Sequence, residues 1–183
     1  AMEKYDCDGL FLHPVIGPKK IGDFTGDIIL KTYRQLIENK YPSNKVVLGG
    51  FNNYSRYAGP KEAVFTALCR KNFGCSHFIV GRDHTGLGAF YPKDGAKRLF
   101  VELGEIGIQP IFFDEVYYCT KCKKYVETCV HGLDKNSRIS GSEVRNKLQK
   151  GESLPDWFIR ESVLKQINEE IKNGHPVLYK EGI

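Results

Sequence analysis

Residues 75–86 read CSHFIVGRDHTG, and this stretch decides the fold of the chain. Its first half, Cys75–Val80, is typical of a short buried strand, and glycines then end that strand abruptly. Its second half, Gly81–Gly86, brings a guanidinium, a carboxylate and an imidazole into one turn. In an alternating strand–helix fold, ligands bind at the carboxyl ends of strands. The turn therefore has the groups to hold an anion beside a nucleotide, with an ordinary salt-bridged turn as the alternative.

Strand and helix signals alternate on both sides of this stretch. Apolar runs predict further strands at Leu10–Val15, Val46–Leu48 and Pro110–Phe113. An apolar stripe of Ile29, Tyr33, Leu36 and Ile37 predicts a first helix, and Pro60 in a first turn with Gly74 after the last turn predicts a second. A third helix is predicted around Ala96–Leu103. The capping pair of Ser140 and Glu143 begins a fourth, and the stripe of Val163, Leu164, Ile167 and Ile171 predicts a fifth. This alternation predicts an α/β fold with a parallel sheet.

Composition narrows the class of protein. Of the 183 residues 41% are hydrophobic, and the sequence has no apolar run long enough to cross a bilayer, so we expect a soluble protein with no membrane partner. The net charge of +5 suits small anionic substrates, although a lysine-rich surface explains it equally well. Lysines are scattered and no basic stripe is interleaved with aromatic residues, which disfavours nucleic-acid binding.

Three of the six cysteines are clustered in the pattern Cys119-x2-Cys122-x6-Cys129-x-His131. Thiolates and an imidazole at such spacing are typical ligands of tetrahedral zinc, and four protein ligands would make the ion structural. The polar loop 120–135 lacks apolar periodicity, so a metal would organise it. Reduced, metal-free cysteines are the alternative, and either form predicts a reducing cytoplasm.

Several segments resemble the ATP sulfurylase (sulfate adenylyltransferase) family. Residues 56–63 (RYAGPKEA), 67–78 (ALCRKNFGCSHF) and 81–86 (GRDHTG) are similar to a helix start, a helix–strand run and a loop of that family. Leu12–Gly17 and Ile139–Arg145 match two further family segments. The resemblance extends in the same order from about Gly9 to about Trp157.

This resemblance implies a doubly wound parallel sheet of the nucleotidylyltransferase type, followed by a zinc knuckle and C-terminal helices. The family also has a central first strand ending in Gln-x-Arg-Asn and a His-x-x-His helix, and neither matches this sequence. We expect the strands at Leu10–Val15 and Cys75–Val80 to flank that central strand, supplied by another segment or chain. The implied division is a partial nucleotide-binding domain at 1–115, a zinc knuckle at 116–135 and a helical segment at 136–183.

The resemblance also implies roles for individual residues. Gly81, Arg82, Asp83, His84 and Val116 would contact ATP, and Arg82 together with the backbone N–H of Thr85 would bind sulfate. A guanidinium suits sulfate because its planar fork reaches two oxygens.

Two more arginines fall within the resembling segments. Arg56 and Arg145 would lie at the mouth of the site or form salt bridges.

The implied reaction moves the adenylyl group of ATP to sulfate, giving adenylyl sulfate and pyrophosphate, or the reverse. Mg²⁺ would accompany ATP, the family is commonly homo-oligomeric, and some bacterial members have a zinc knuckle at the same point. We expect these 183 residues to be inactive alone. The alternative function is a non-catalytic, zinc-containing binding or regulatory homologue.

Overall fold

The computed structural model describes residues 1–42, 44–81, 84, 90–132 and 139–180. Strands and helices alternate through much of this part, in the order β1 Leu10–Leu12, α1 Gly26–Lys40, β2 Val46–Leu48, α2 Pro60–Asn72, β3 His77–Val80, α3 Gly95–Leu103, β4 Gln109–Phe112, β5 Tyr117–Cys119, β6 Lys124–Val126, α4 Gly141–Lys150 and α5 Glu161–Lys172. The predicted α/β class is confirmed at this level.

Two compact units share the chain. The first comprises Ala1–Phe11 and Ser55–Glu115, and the second comprises Leu12–Tyr54 and Val116–Ile183.

The first unit is built on two parallel strands, β3 and β4. Their register pairs His77 with Gln109 and Val80 with Phe112, so both strands end at the same edge. Ala63 and Ala67 of α2 pack with Val80 and with Phe100 of α3 in the core. Small alanines let α2 approach the sheet closely, which holds the helix beside the carboxyl end of β3.

Helix α2 begins and ends where its sequence signals predict. Pro60 occupies its first turn, and Gly74 follows its end with φ of +90°. A side chain is rarely tolerated at such an angle, so glycine is the natural residue there. The chain then turns directly into β3.

The second unit pairs α1 with α5. Ile28 of α1 packs against Ile167 and Val177 and is only 3% exposed. The predicted stripe that begins at Ile29 is half-buried instead, because the face of α1 that meets α5 is rotated toward Ile28. At the edge of the same unit the Gly49 N–H donates to the Leu12 carbonyl, joining the end of β1 to β2.

Helix α4 confirms the predicted capping pair. The Ser140 hydroxyl accepts the N–H of Glu143, and Gly151 closes the helix in the left-handed conformation.

The polar loop predicted at 120–135 is in part a β-hairpin. β5 and β6 pair antiparallel, with Tyr117 opposite Val126 and Cys119 opposite Lys124. Lys123 adopts a φ of +52° in the turn. Sequence periodicity missed these strands because each has three residues, too few for an alternating pattern to stand out.

Strand pairing within the described residues gives three two-stranded sheets, β1 with β2, β3 with β4, and β5 with β6. No helix in that part of the chain is both long and apolar enough to cross a membrane.

Candidate functional site

The residues predicted to bind nucleotide and anion follow β3. Gly81 comes directly after the strand, and an added Cβ there would meet no atom within 4 Å. Arg82, Asp83 and Thr85 lie outside the described residues, and their predicted roles stay predictions. His84 is described and is half-buried.

The His84 ring packs against α2 and β3 in the first unit. Its Nε2 atom lies 2.9 Å from the Thr66 hydroxyl, and its ring meets Phe78 edge-on at 5.6 Å between centroids. Burial lowers the pKa of His84, Arg70 lowers it further, and Glu62 partly opposes both. The imidazole is therefore neutral near pH 7.

Sequence reasoning missed the role of Glu62, at the start of α2. Its carboxylate is 4% exposed and accepts the N–H of Arg56 at 2.9 and 3.1 Å and that of Ala58 at 3.0 Å. The same loop places Tyr57 at a φ of +53°. A carboxylate that receives several backbone donors is a strong local anchor, and here it fixes the turn before α2.

Gly59 completes this turn. Its φ is +52°, and a Cβ at this position would overlap the ring of Tyr91. The turn therefore needs glycine for both conformation and space. The only sequence signal for this arrangement is a Glu three residues after Gly59, the spacing of a capping box without its hydroxyl.

The remaining residues of the predicted nucleotide site divide between the two units. The Arg56 guanidinium lies 4.9 Å from the ring centroid of Phe65 in the first unit. In the second unit Arg145 forms an ion pair with Asp23 at 3.5 Å, one of the two roles predicted for it. Val116 is the first residue of the second segment of the second unit and is half exposed.

The predicted metal ligands converge in the second unit. The thiols of Cys119, Cys122 and Cys129 and a ring nitrogen of His131 all lie within 4.8 Å of one another. His131 Nδ1 is 3.6 Å from the Cys119 sulfur and 3.3 Å from each of the other two. Cys129 is 3.5 Å from Cys122 and 3.6 Å from Cys119, sulfur to sulfur.

These distances fit a tetrahedral ion. Zinc bonds of about 2.3 Å to sulfur and about 2.0–2.1 Å to nitrogen imply separations of roughly 3.5–3.8 Å between ligand atoms. The observed 3.3–3.6 Å edges are close to that figure. Three thiols and an imidazole crowded this closely, without disulfides, form a donor set that suits zinc.

The hairpin β5–β6 prepares Cys119 for this role. Cys119 is 2% exposed, and its sulfur accepts the backbone N–H of Cys122 at 3.3 Å. That backbone contact is the largest cause lowering the pKa of the Cys119 thiol to about 6. A thiolate is thus favoured at the first ligand position.

An aromatic cluster joins the same hairpin to the segment before α5. Trp157 stacks on Tyr118 at 4.9 Å with 7° between the ring planes, and Tyr125 meets Trp157 edge-on at 6.3 Å. The Tyr125 hydroxyl donates to the Trp157 carbonyl at 2.9 Å. The single tryptophan of the chain therefore contacts the hairpin through both Tyr118 and Tyr125.

Comparison with known protein families shows which family the chain belongs to. The family model for ATP-sulfurylase matches residues 1–170. The chain belongs to the ATP-sulfurylase family. The match spans both units, including the turn after β3 and the Cys/His cluster.

Curated relatives carry the name sulfate adenylyltransferase. The protein of Staphylothermus marinus is 46% identical over 162 residues, which cover 87% of this chain and 42% of the relative. That of Symbiobacterium thermophilum is 42% identical over 170 residues, covering 91% and 43%. That of Hyperthermus butylicus is 40% identical over 177 residues, covering 96% and 44%. The chain thus spans less than half the length of the relatives it matches.

A solved structure supports the fold. The hexameric APS kinase from Thiobacillus denitrificans matches with a TM-score of 0.62 at 20% identity, covering 92% of this chain and 32% of that one. At this identity the likeness concerns the mixed α/β fold alone.

Proposed function

We propose that the chain is the catalytic region of a sulfate adenylyltransferase. It would transfer the adenylyl group of ATP to sulfate, giving adenylyl sulfate and pyrophosphate, or catalyse the reverse reaction. The observation that carries this proposal is the family match over residues 1–170, together with relatives of that name at 40–46% identity. The chain spans under half the length of those relatives.

Most of the proposed binding groups follow β3 directly in the sequence. Gly81, Arg82, Asp83 and His84 would contact ATP, and the backbone at Val116 would contact adenine. Arg82 and the Thr85 N–H would hold sulfate. The parallel pairing of β3 and β4 supports this assignment, because both strands have their carboxyl ends at one edge and ligands of such folds bind at that edge.

Positioning and charge neutralisation would supply most of the catalysis. A sulfate oxygen attacks the α-phosphorus in line, the bond to the bridging oxygen breaks, and pyrophosphate leaves with that electron pair. Arg82 would offset the repulsion between the two anions, and Mg²⁺ would neutralise charge on ATP. This scheme needs no covalent nucleophile from the chain.

The site would be completed by polypeptide outside these 183 residues. The family resemblance calls for a Gln-x-Arg-Asn strand and a His-x-x-His helix, which we propose come from another segment or chain. That strand would lie between β1 and β3 in a doubly wound sheet of the nucleotidylyltransferase type. We propose, further, that the assembled protein is a cytoplasmic homo-oligomer, with domain limits near residues 115 and 135.

The Cys/His cluster would hold a structural zinc ion. Four protein ligands leave no open coordination position, so the ion would stabilise the hairpin and take no part in the reaction. The ligand distances above and the buried position of Cys119 support this role.

Turnover assays test the proposal. In a complete protein carrying this segment, Arg82→Lys should lower ATP formation from adenylyl sulfate and pyrophosphate by more than about tenfold, because a point charge replaces a bidentate donor. Arg98→Lys is the control, since Arg98 is an exposed partner of Asp94 on α3. The isolated 183 residues should show no turnover.

Two outcomes would contradict the proposal. Unchanged turnover in Arg82→Lys would remove the anion role of the loop, and rapid turnover by the mass-verified isolated chain would refute the need for a further segment.

A further inference from the structure

Helix α2 carries a buried polar stripe. Glu62, Thr66 and Arg70 are 4%, 5% and 8% exposed and follow one another at four-residue intervals, so they share one face of the helix. Burying polar side chains costs free energy unless each finds a hydrogen-bond partner. The partners of this stripe show what it holds in place.

The two ends of the stripe have different partners. Glu62 accepts the backbone N–H groups of Arg56 and Ala58 and thereby fixes the turn before the helix. Arg70 lies over the Phe78 ring at 6.0 Å and reaches the Thr66 carbonyl at 3.5 Å.

Thr66, in the middle, has three neighbours around one hydroxyl. Its Oγ1 atom is 2.6 Å from the Glu62 carbonyl, 3.0 Å from the Ala63 carbonyl and 2.9 Å from His84 Nε2. A hydroxyl carries one hydrogen, and carbonyl oxygens only accept. The Thr66 hydrogen is therefore given to the helix backbone, and the Thr66 oxygen accepts a hydrogen bond from His84.

This assignment of donors and acceptors fixes the tautomer of the imidazole. His84 must carry its proton on Nε2, which makes Nδ1 the acceptor nitrogen of the neutral ring. Among the described residues, Glu62 and Arg70 are charged groups that act on the ring, both from the same stripe of α2, and the Phe78 ring packs against it edge-on.

We propose that Thr66 is a positioning residue for His84, one of the residues proposed to contact nucleotide after β3. Its hydroxyl holds His84 in one ring orientation and one tautomer, while Glu62 holds the turn at Arg56–Ala58 from the same helix face. One face of α2 thus holds both His84 and the turn before the helix. This inference rests on the proposed function only for the ligand that His84 helps to bind.

The test uses the full 183-residue chain and three variants. Thr66→Val removes the hydroxyl at nearly constant volume, and Thr66→Ser retains it. Thr32→Val is the matched control, because the Thr32 hydroxyl makes the same pair of contacts on α1, to the carbonyls of Ile28 at 2.9 Å and Ile29 at 3.0 Å. Two-bond proton–nitrogen NMR reports the tautomer of His84, which is assigned through a further variant, His84→Asn. Calorimetry on a complete protein carrying this segment and the same substitutions reports the affinity for adenylyl sulfate.

We expect the Nε2–H tautomer in the wild type, in Thr66→Ser and in Thr32→Val, and a mixture of tautomers in Thr66→Val. Adenylyl sulfate should bind roughly three- to tenfold more weakly to Thr66→Val, as expected for one lost hydrogen bond, and unchanged to the other two.

Three results would overturn the inference. A wild-type His84 that carries its proton on Nδ1 would contradict the inference by itself. The inference can therefore be tested even if the Thr66→Val protein fails to fold. An unchanged tautomer and affinity in Thr66→Val would also do so, as would equal weakening in Thr66→Ser.

The tautomer measurement needs no ligand, which separates the two proposals. If the 183-residue chain shows the Nε2–H tautomer but a complete protein carrying it does not bind adenylyl sulfate, the proposed function is contradicted and the positioning of the ring stays supported.

Discussion

The hairpin with the Cys/His cluster and the polar face of α2 hold polar groups together over very different distances along the chain. The hairpin takes its four ligands from residues 119–131, and all four point at one another. The α2 network joins the turn at Arg56–Ala58 to His84, and the N–H groups of Arg56 and Ala58 and the Thr66 hydroxyl each meet an acceptor. The comparison suggests a general distinction. Several metal-ligand atoms gathered within a short segment suit a bound ion, whereas hydrogen-bond donors and acceptors paired over a long stretch of sequence hold segments in position.

The largest expected effect concerns the hairpin. Cys122→Ser should reduce bound zinc from about one ion per chain to less than about a tenth, because a structural zinc site depends on its full ligand set. Trp157 fluorescence should change with it, since Tyr118 stacks on that ring. Elemental analysis of protein purified without added metal measures the zinc content.

Cys69→Ser provides the control, because Cys69 belongs to α2 and should leave the metal content unchanged. Wild-type protein without zinc, with its clustered thiols reacting freely with a thiol reagent, would contradict the metal assignment.

The next effect concerns the α2 network. Glu62→Gln places an amide NH₂ where a carboxylate oxygen now accepts the N–H of Arg56 or Ala58. We expect the free energy of unfolding to fall by about 1.5–3 kcal/mol, the range for a hydrogen bond to a charged group. Urea unfolding followed by circular dichroism measures it.

Glu161→Gln is the matched control for that substitution. Glu161 pairs with Lys165 on the exposed surface of α5, where solvent screens the pair, so little change is expected. Equal destabilisation by the two substitutions would mean that burial of Glu62 adds nothing.

The smallest effect is a pH dependence of the second unit. Lys31 is the largest cause lowering the pKa of Glu170, and His175 adds to it. A carboxyl whose folded pKa is lowered stabilises the fold above its unfolded pKa, and this contribution is lost as the pH falls below about 4.5. Glu170→Gln should therefore weaken the dependence of stability on pH in that acid range.

Urea unfolding at a series of pH values measures this dependence. Glu152→Gln, at an exposed position, should keep the wild-type profile. A Glu170→Gln profile that matches the wild type would show that the contacts with Lys31 and His175 contribute nothing.

Local signals predicted much of the fold. Pro60, Gly74 and the Ser140–Glu143 pair set helix ends through backbone geometry that depends on a few neighbouring residues. The rotation of α1 toward Ile28 was not predictable in this way, because it depends on α5, far along the chain. Short strands such as β5 also escaped, since pairing and not periodicity defines them.

The residues of the candidate site likewise differ in whether local sequence predicts them. The spacing of Cys119, Cys122, Cys129 and His131 predicted a cluster that the structure brings together. A Glu and a Thr within a helix carry no such pattern, so the roles of Glu62 and Thr66 emerge only when His84 and the turn before α2 are placed against them. Resemblance to a family supplied the remaining site residues, Arg82, Asp83 and Thr85 among them.

The binding of adenylyl sulfate to a complete protein carrying this segment tests the central claim most directly. Calorimetry of the wild type, Arg82→Lys and Arg98→Lys would measure three dissociation constants under identical conditions. The account predicts one ligand per chain, an affinity at least about tenfold weaker in Arg82→Lys, since a charge-assisted hydrogen bond is worth about 1.5–3 kcal/mol, and no change in Arg98→Lys. A wild type that does not bind adenylyl sulfate, or equal affinities for Arg82→Lys and the wild type, would contradict it.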